Sequence, residues 1–139
     1  MKKRFLFLLF SIFALGSLKA QLPNGSQAPD WILTDLNGNT HHLQEYLDAG
    51  KTVYIDMFAT WCGPCWNYHQ THTLKNLYEQ YGPDGTDQVM VFGIESDIST
   101  PTNCLYDQNC PSSQGDWTAG VPYPIIDITA TNGPNMPNN

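Results

Sequence analysis

Beyond its first twenty positions the sequence contains no arginine and only two lysines, Lys51 and Lys75. The other basic residues, Lys2, Lys3, Arg4 and Lys19, all precede residue 21. All thirteen acidic residues follow it, so two basic against thirteen acidic side chains leave a net charge of −11. A body that acidic repels phosphate backbones, which excludes nucleic-acid partners. Long apolar runs are also missing after residue 20, so nothing there is suited to span a bilayer. No cysteine precedes Cys62, which excludes a lipid-modified N-terminal cysteine. Charged residues make up only 14% and hydrophobic ones 41% of 139 residues, enough to fold one core and too few residues for two. There is no internal repeat.

What the first twenty residues do contain is an address. Lys2-Lys3-Arg4 forms a positive start, and Phe5 to Leu18 is apolar except for Ser11, Gly16 and Ser17. That run suits a signal peptide better than a membrane span, with Ala20 at the cleavage point and Gln21 as the new N-terminus. An uncleaved N-terminal anchor is the alternative. The expected division is residues 1–20 as signal peptide, 21–128 as the folded domain and 129–139 as a polar tail. The expected location is exported, periplasmic or secreted, where disulfides persist.

Trp31 to Leu36 and Thr40 to Leu43 flank Asn37-Gly38, a hairpin signal. Leu43 to Leu47 reads as a short helix stopped by Gly50. Val53 to Thr60 is a β-prone apolar run, which predicts a strand buried on both faces. Gly63-Pro64 opens a helix in which Leu74, Leu77, Tyr78 and Tyr81 share one face, and Gly82-Pro83 closes it. Val89 to Ile94 is a second apolar strand. Strand, helix and strand predict a parallel pair with a right-handed crossover. Ser96 to Gly120 is rich in turn residues and reads as a long loop, and Pro124 to Ile128 as a short apolar run. His41-His42 in the hairpin are expected at the surface.

Cys62-Gly63-Pro64-Cys65 falls where the first apolar strand turns into the helix. There, unpaired amides and the helix dipole favour an anion, which lowers a thiol pKa from about 8.5. Two intervening residues let the sulfurs close as a disulfide. Cys62, nearer the surface, is the expected nucleophile, and Cys65, one turn inside, the expected resolving thiol. Asp56 interrupts the apolar strand; burial would raise its pKa and fit it to take the proton from Cys65. The alternative is an aspartate at a sheet margin, bonded to backbone.

The segment FATWCGPCW resembles the thioredoxin active-site signature, with Asp56 at the position of thioredoxin's buried acid. The stretch from Ala28 to Cys65 is similar to the entry region of longer secreted bacterial thiol–disulfide proteins, relatives of the thiol-specific antioxidant branch. The likeness covers about Gly25 to Ile94, with a weaker echo at Tyr123 to Asp127. It implies an α/β thioredoxin-like fold, three layers α/β/α with a mixed sheet, and dithiol–disulfide exchange with protein substrates. It implies a redox disulfide between Cys62 and Cys65, Trp61 shielding it, and Gly63 and Pro64 shaping the site, Pro64 helping to set the potential. No cofactor or metal is implied. The partners would be protein thiols or disulfides and a redox donor or acceptor, and the protein a monomer without stable membrane insertion after signal cleavage. Where thioredoxin carries a lysine after its second cysteine, this chain has Trp66, which alters the electrostatics near Cys65.

The family places a cis-proline loop opposite the dithiol, followed by a strand pair and a closing helix. Pro124 could be that proline. The preferred match sets VPYPIID on a segment upstream of it, because Ile rather than Thr follows Pro124. Either match predicts a fold lacking its C-terminal strand and helix, with a central strand left as an open edge.

Cys104 and Cys110 enclose five residues of the loop, and a local structural disulfide is the default there. Four cysteines allow three pairings; proximity and the motif favour Cys62–Cys65 with Cys104–Cys110. Cys62, Cys65, His69 and His72 could instead hold zinc, since the last three share a helix face. A metal-binding or structural module without exchange activity is therefore the alternative function. A thiol peroxidase is less favoured, because that chemistry needs an arginine partner.

Overall fold

The computed structural model describes residues 23–107 and 109–128. The expected signal peptide and the polar tail from residue 129 lie outside the described residues. The chain opens with an antiparallel hairpin of β1 (Ile32–Thr34) and β2 (Thr40–His42). Asp35 organises its turn: the carboxylate accepts from the amides of Asn37 and Asn39 (2.9 Å each) and from Asn39 Nδ2 (3.1 Å). Gly38 takes the left-handed φ of +86° that the turn requires. Helix α1 (Leu43–Asp48) follows at once, and Gly50 (φ +76°) reverses the chain into β3 (Thr52–Phe58).

Strand β3 pairs in parallel with β4 (Val89–Glu95), and β4 with β5 (Ile125–Asp127), in the order β3-β4-β5. The chain between β3 and β4 forms α2 (Gly63–His69) and α3 (Thr73–Tyr81). One face of the sheet packs Met90, Phe92, Ile94 and Ile126 against Trp31, Leu33 and Leu43 of the hairpin and α1. The other face packs Phe58, Val91 and Ile125 against Leu74 of α3 and against Leu105, Trp117 and Tyr123. Alternation along the strands therefore places Asp56, Phe58, Glu95 and Asp127 on this second face, toward α2 and α3.

Four expectations need correction. Val53 to Thr60 is not buried on both faces: β3 is the outer strand among the described residues, and Tyr54, Ile55 and Met57 are 49%, 42% and 57% exposed. β4 is the strand with buried side chains on both faces. An apolar run reports a preference for burial and cannot report which neighbours are present. The single helix is two, because His72 adopts a left-handed φ of +56°. Thr71 Oγ1 donates to the Tyr68 carbonyl (2.7 Å) and accepts from the Thr73 amide (3.3 Å), local bonds that compete with the helical ladder. His41 is buried, its Nε2 bonded to Asp35 Oδ2 (3.0 Å) and its Nδ1 to the Tyr46 hydroxyl (2.8 Å). The loop after β4 has a core of its own: a 3-10 turn (Thr102–Leu105) and a bridge between Tyr106 and Asp116 deliver Leu105 and Trp117 to the interior. β5 lies parallel beside β4, and no described peptide bond is cis.

Candidate active site

Residues 59–62 turn sharply off the end of β3, the Cys62 amide donating to the Ala59 carbonyl (2.9 Å). Cys62 is the N-cap of α2, and Pro64 sits in the first turn, where its missing N–H costs nothing. Cys62 and Cys65 are joined by a disulfide (S–S 2.01 Å), and the Cys65 amide donates to Cys62 Sγ (3.3 Å). That amide is in place to stabilise a thiolate on Cys62 once the bridge opens. Both cysteines are half-buried, and Cys65 packs against the cluster under α2 and α3. Trp61 stands 54% exposed beside them, its Nε1 donating to Asp97 Oδ2 (2.7 Å).

Asp56 lies on the sheet face that carries Cys65, half-buried, and burial raises its carboxyl above the usual range. Burial, with the charge of Asp56, pushes the Tyr123 hydroxyl up to about 12. His69 is stacked on Trp66 (5.3 Å) and lies close to Trp117 (5.1 Å). Burial, then the neighbouring His72, lowers its pKa. Among the described residues no three His, Cys, Asp or Glu side chains converge as metal ligands. His72 lies beyond the helix that carries Cys65 and His69, so the three do not share one continuous helix face.

Two features escaped the sequence. Glu95 ends β4 on the same face, beside Phe58, and is 1% exposed. Neither of its carboxylate oxygens has a side-chain hydrogen-bond partner among the described residues, nor does Thr60 Oγ1. Burial pushes Glu95 up to about 7; the nearby backbone N–H groups of Asp97 and Thr60 hold it down in part, and the charges of Asp127 and Asp97 add to the rise. The signal was its place at the end of the second apolar run, in phase with Val91 and Gly93. The second is the loop after β4. It is closed by the Cys104–Cys110 disulfide (S–S 2.03 Å) and reaches the active-site turn through Gln114 and Trp117.

Trp66 explains the missing lysine. Its ring packs edge-on against Trp117 (4.9 Å), and a Cβ on Gly115 would lie 2.6 Å from it. An aromatic here fastens the loop to α2, a task a flexible lysine would not perform.

The family model described as Redoxin matches residues 23–126. Among curated proteins, the thiol-disulfide oxidoreductase ResA of Geobacillus kaustophilus (strain HTA426) is 37% identical over 73 residues, 52% of this chain and 40% of that protein. ResA of Bacillus subtilis (strain 168) is 33% identical over 111 residues, 70% of this chain and 60% of that one. The chain spans about half the length of the curated relatives it matches. Among solved structures, the thioredoxin domain of a thiol-disulfide oxidoreductase from Bacteroides vulgatus superposes with TM-score 0.52 over 77% of this chain and 65% of that one, at 19% identity. The strand–turn–helix around Cys62 and Cys65 thus sits in a thioredoxin-like fold, and the chain belongs to the Redoxin family.

Proposed function

We propose that this protein exchanges disulfides with protein substrates through Cys62 and Cys65. The observation that carries the reading is the closed Cys62–Cys65 bridge at the start of α2, with the Cys65 amide on Cys62 Sγ and a half-buried Asp56 on the sheet face below. In the reductive direction the Cys62 thiolate attacks a substrate disulfide. The substrate S–S bond breaks, a mixed disulfide forms on Cys62 Sγ, and one substrate sulfur leaves as a thiolate. Cys65 then gives its proton to Asp56 and attacks Cys62 Sγ, breaking the mixed disulfide, releasing the second substrate sulfur as a thiolate that takes up a proton from solvent, and leaving the bridge seen in the structure. An external dithiol must supply the two electrons that reopen it. Trp61, Gly63 and Pro64 line the approach to Cys62.

The exchange takes place outside the cytosol. The basic start and apolar run before residue 20 support this, as do two disulfides in one small domain. The test is reduction of a disulfide-bonded protein by the dithiol-loaded enzyme. Cys62→Ser should abolish turnover, and Cys65→Ser should leave a mixed disulfide on Cys62 that gels and mass spectrometry detect. Full turnover by Cys62→Ser would end the proposal.

A further inference from the structure

The residues before Cys62 are held from outside the active-site turn, by one loop. The Thr60 carbonyl accepts from the Gln114 amide (3.0 Å) and from Trp117 Nε1 (3.2 Å). The Trp61 carbonyl accepts from Gln114 Nε2 (3.3 Å). Gln114 Oε1 lies 3.8 Å from where a Cβ on Gly63 would stand, so this side chain borders the turn between the two cysteines.

Gln114 is itself fixed by the second disulfide. The Ser113 amide donates to the Cys110 carbonyl (3.0 Å), and Ser113 Oγ lies within donating distance of both the Cys104 carbonyl (2.9 Å) and the Gly115 carbonyl (3.0 Å), which share its single proton. Ser113 therefore ties both halves of the bridge to the backbone on either side of Gln114. Cys104 and Cys110 are 2% and 9% exposed, so the bridge is an internal strut. Trp117 anchors the far end, its amide on the Leu105 carbonyl (2.9 Å) and its ring stacked on Phe58 (4.4 Å between centroids).

We propose that Gln114, held by the Cys104–Cys110 bridge, is a positioning residue for the dithiol: by bonding the carbonyls of Thr60 and Trp61 it fixes the backbone that presents Cys62 to Cys65. This rests on the exchange function proposed above. The two thiols are kept at a high effective concentration because the backbone on the Cys62 side cannot drift. Loosening it lowers that concentration, disfavours the disulfide and makes the midpoint potential less negative; a tenfold fall corresponds to about 30 mV for this two-electron couple. The same loosening moves Cys62 Sγ from the Cys65 amide, so thiolate forms at higher pH.

The experiment is a titration of the protein in dithiothreitol and glutathione buffers. Thiol trapping and mass spectrometry then read the Cys62/Cys65 and Cys104/Cys110 peptides separately. Gln114→Ala and the equally long Gln114→Met, which lacks the amide donor, are compared with wild type. They are expected to lower the effective concentration of the pair at least threefold, and Cys104→Ser/Cys110→Ser at least tenfold. All three should shift the pH profile of Cys62 alkylation upward. If the double variant does not fold, the two Gln114 variants decide. A midpoint and alkylation profile within twofold of wild type in folded Gln114→Ala and Gln114→Met would overturn the proposal. A wild-type pair that titrates normally yet reduces no protein disulfide would overturn the proposed function instead, and the Gln114 comparison would still stand.

Discussion

The buried acid at the end of β4 gives the sharpest stability test. Glu95 is 1% exposed, with no side-chain partner for either oxygen among the described residues, and burial moves its pKa from 4.5 to about 7 against the pull of the backbone N–H groups of Asp97 and Thr60. The groups that add negative charge around it are Asp127, its register partner on β5, and Asp97 just beyond β4. Because the folded pKa lies above the unfolded one, the native state holds the extra proton between pH 4.5 and 7. Stability should therefore fall as pH rises through that window, at up to about 1.4 kcal/mol per pH unit. Below it Glu95 is neutral in both states and contributes no difference. Above it the folded protein carries a cost of about 3 kcal/mol. Glu95→Gln removes the ionisation and keeps the shape. At pH 8 the variant should be more stable than wild type by about 1–3 kcal/mol, the lower end reflecting the desolvation of a buried amide. At pH 4 the gain should be gone, and the cost of burying the amide, which does not depend on pH, should leave the variant equal to wild type or less stable by up to about 2 kcal/mol. Urea unfolding of the oxidised protein at half-unit steps from pH 4 to 8 measures both curves. Parallel curves, with a constant offset from pH 4 to 8, would refute the reasoning.

Asp56→Asn should slow the resolving step about 100-fold or more while leaving mixed-disulfide formation by Cys62 intact, as stopped-flow with a trapped substrate would show. Gly115→Ala places a methyl 2.6 Å from the Trp66 ring and should cost about 1–3 kcal/mol in denaturant unfolding; a wild-type midpoint would show that Trp66 moves freely. Asp35→Ala removes the acceptor of four bonds, from Asn37, Asn39 (two) and His41, and should destabilise by about 2–4 kcal/mol. Burial raises the Asp35 carboxyl, but these donors outweigh it and hold it below its ordinary value. The stability Asp35 contributes is therefore present above that value and lost as the pH falls below it, so the destabilisation by Asp35→Ala should shrink in acid.

The sequence was most legible where local chemistry decides the backbone. Asn37-Gly38 marked the hairpin and Gly50 the end of α1, because few residues tolerate those φ values. Cys62-Gly63-Pro64-Cys65 marked a strand-to-helix junction, because proline suits a first helical turn. Legibility failed where structure depends on partners distant in sequence. Tyr54, Ile55 and Met57 match a central strand, yet their exposure depends on what pairs beyond β3, which their own run cannot encode. His41 looked like surface because histidine usually is; its burial follows from Asp35 six residues earlier and Tyr46 five later, reaching both ring nitrogens. Thr71 to Thr73 could have been suspected, since two threonines around a histidine offer local bonds that a helix interior does not use.

The loop after β4 is rich in turn residues, but a chain of that kind need not lack a core. Its Trp117 is 1% exposed and its Leu105 fully buried, both far from the motif in sequence. Trp66 links the two readings. As a departure from the lysine usual in thioredoxin it looked like a change in charge near Cys65. In the structure it is a change in packing: the ring closes on Gly115 and Trp117, and so brings the loop carrying Gln114 against the turn that carries Cys62. Residue 66 and the glycine at 115 thus form one packing unit. A lysine at 66 would leave the close approach at Gly115 without a reason. A side chain at 115 would leave the indole without a seat.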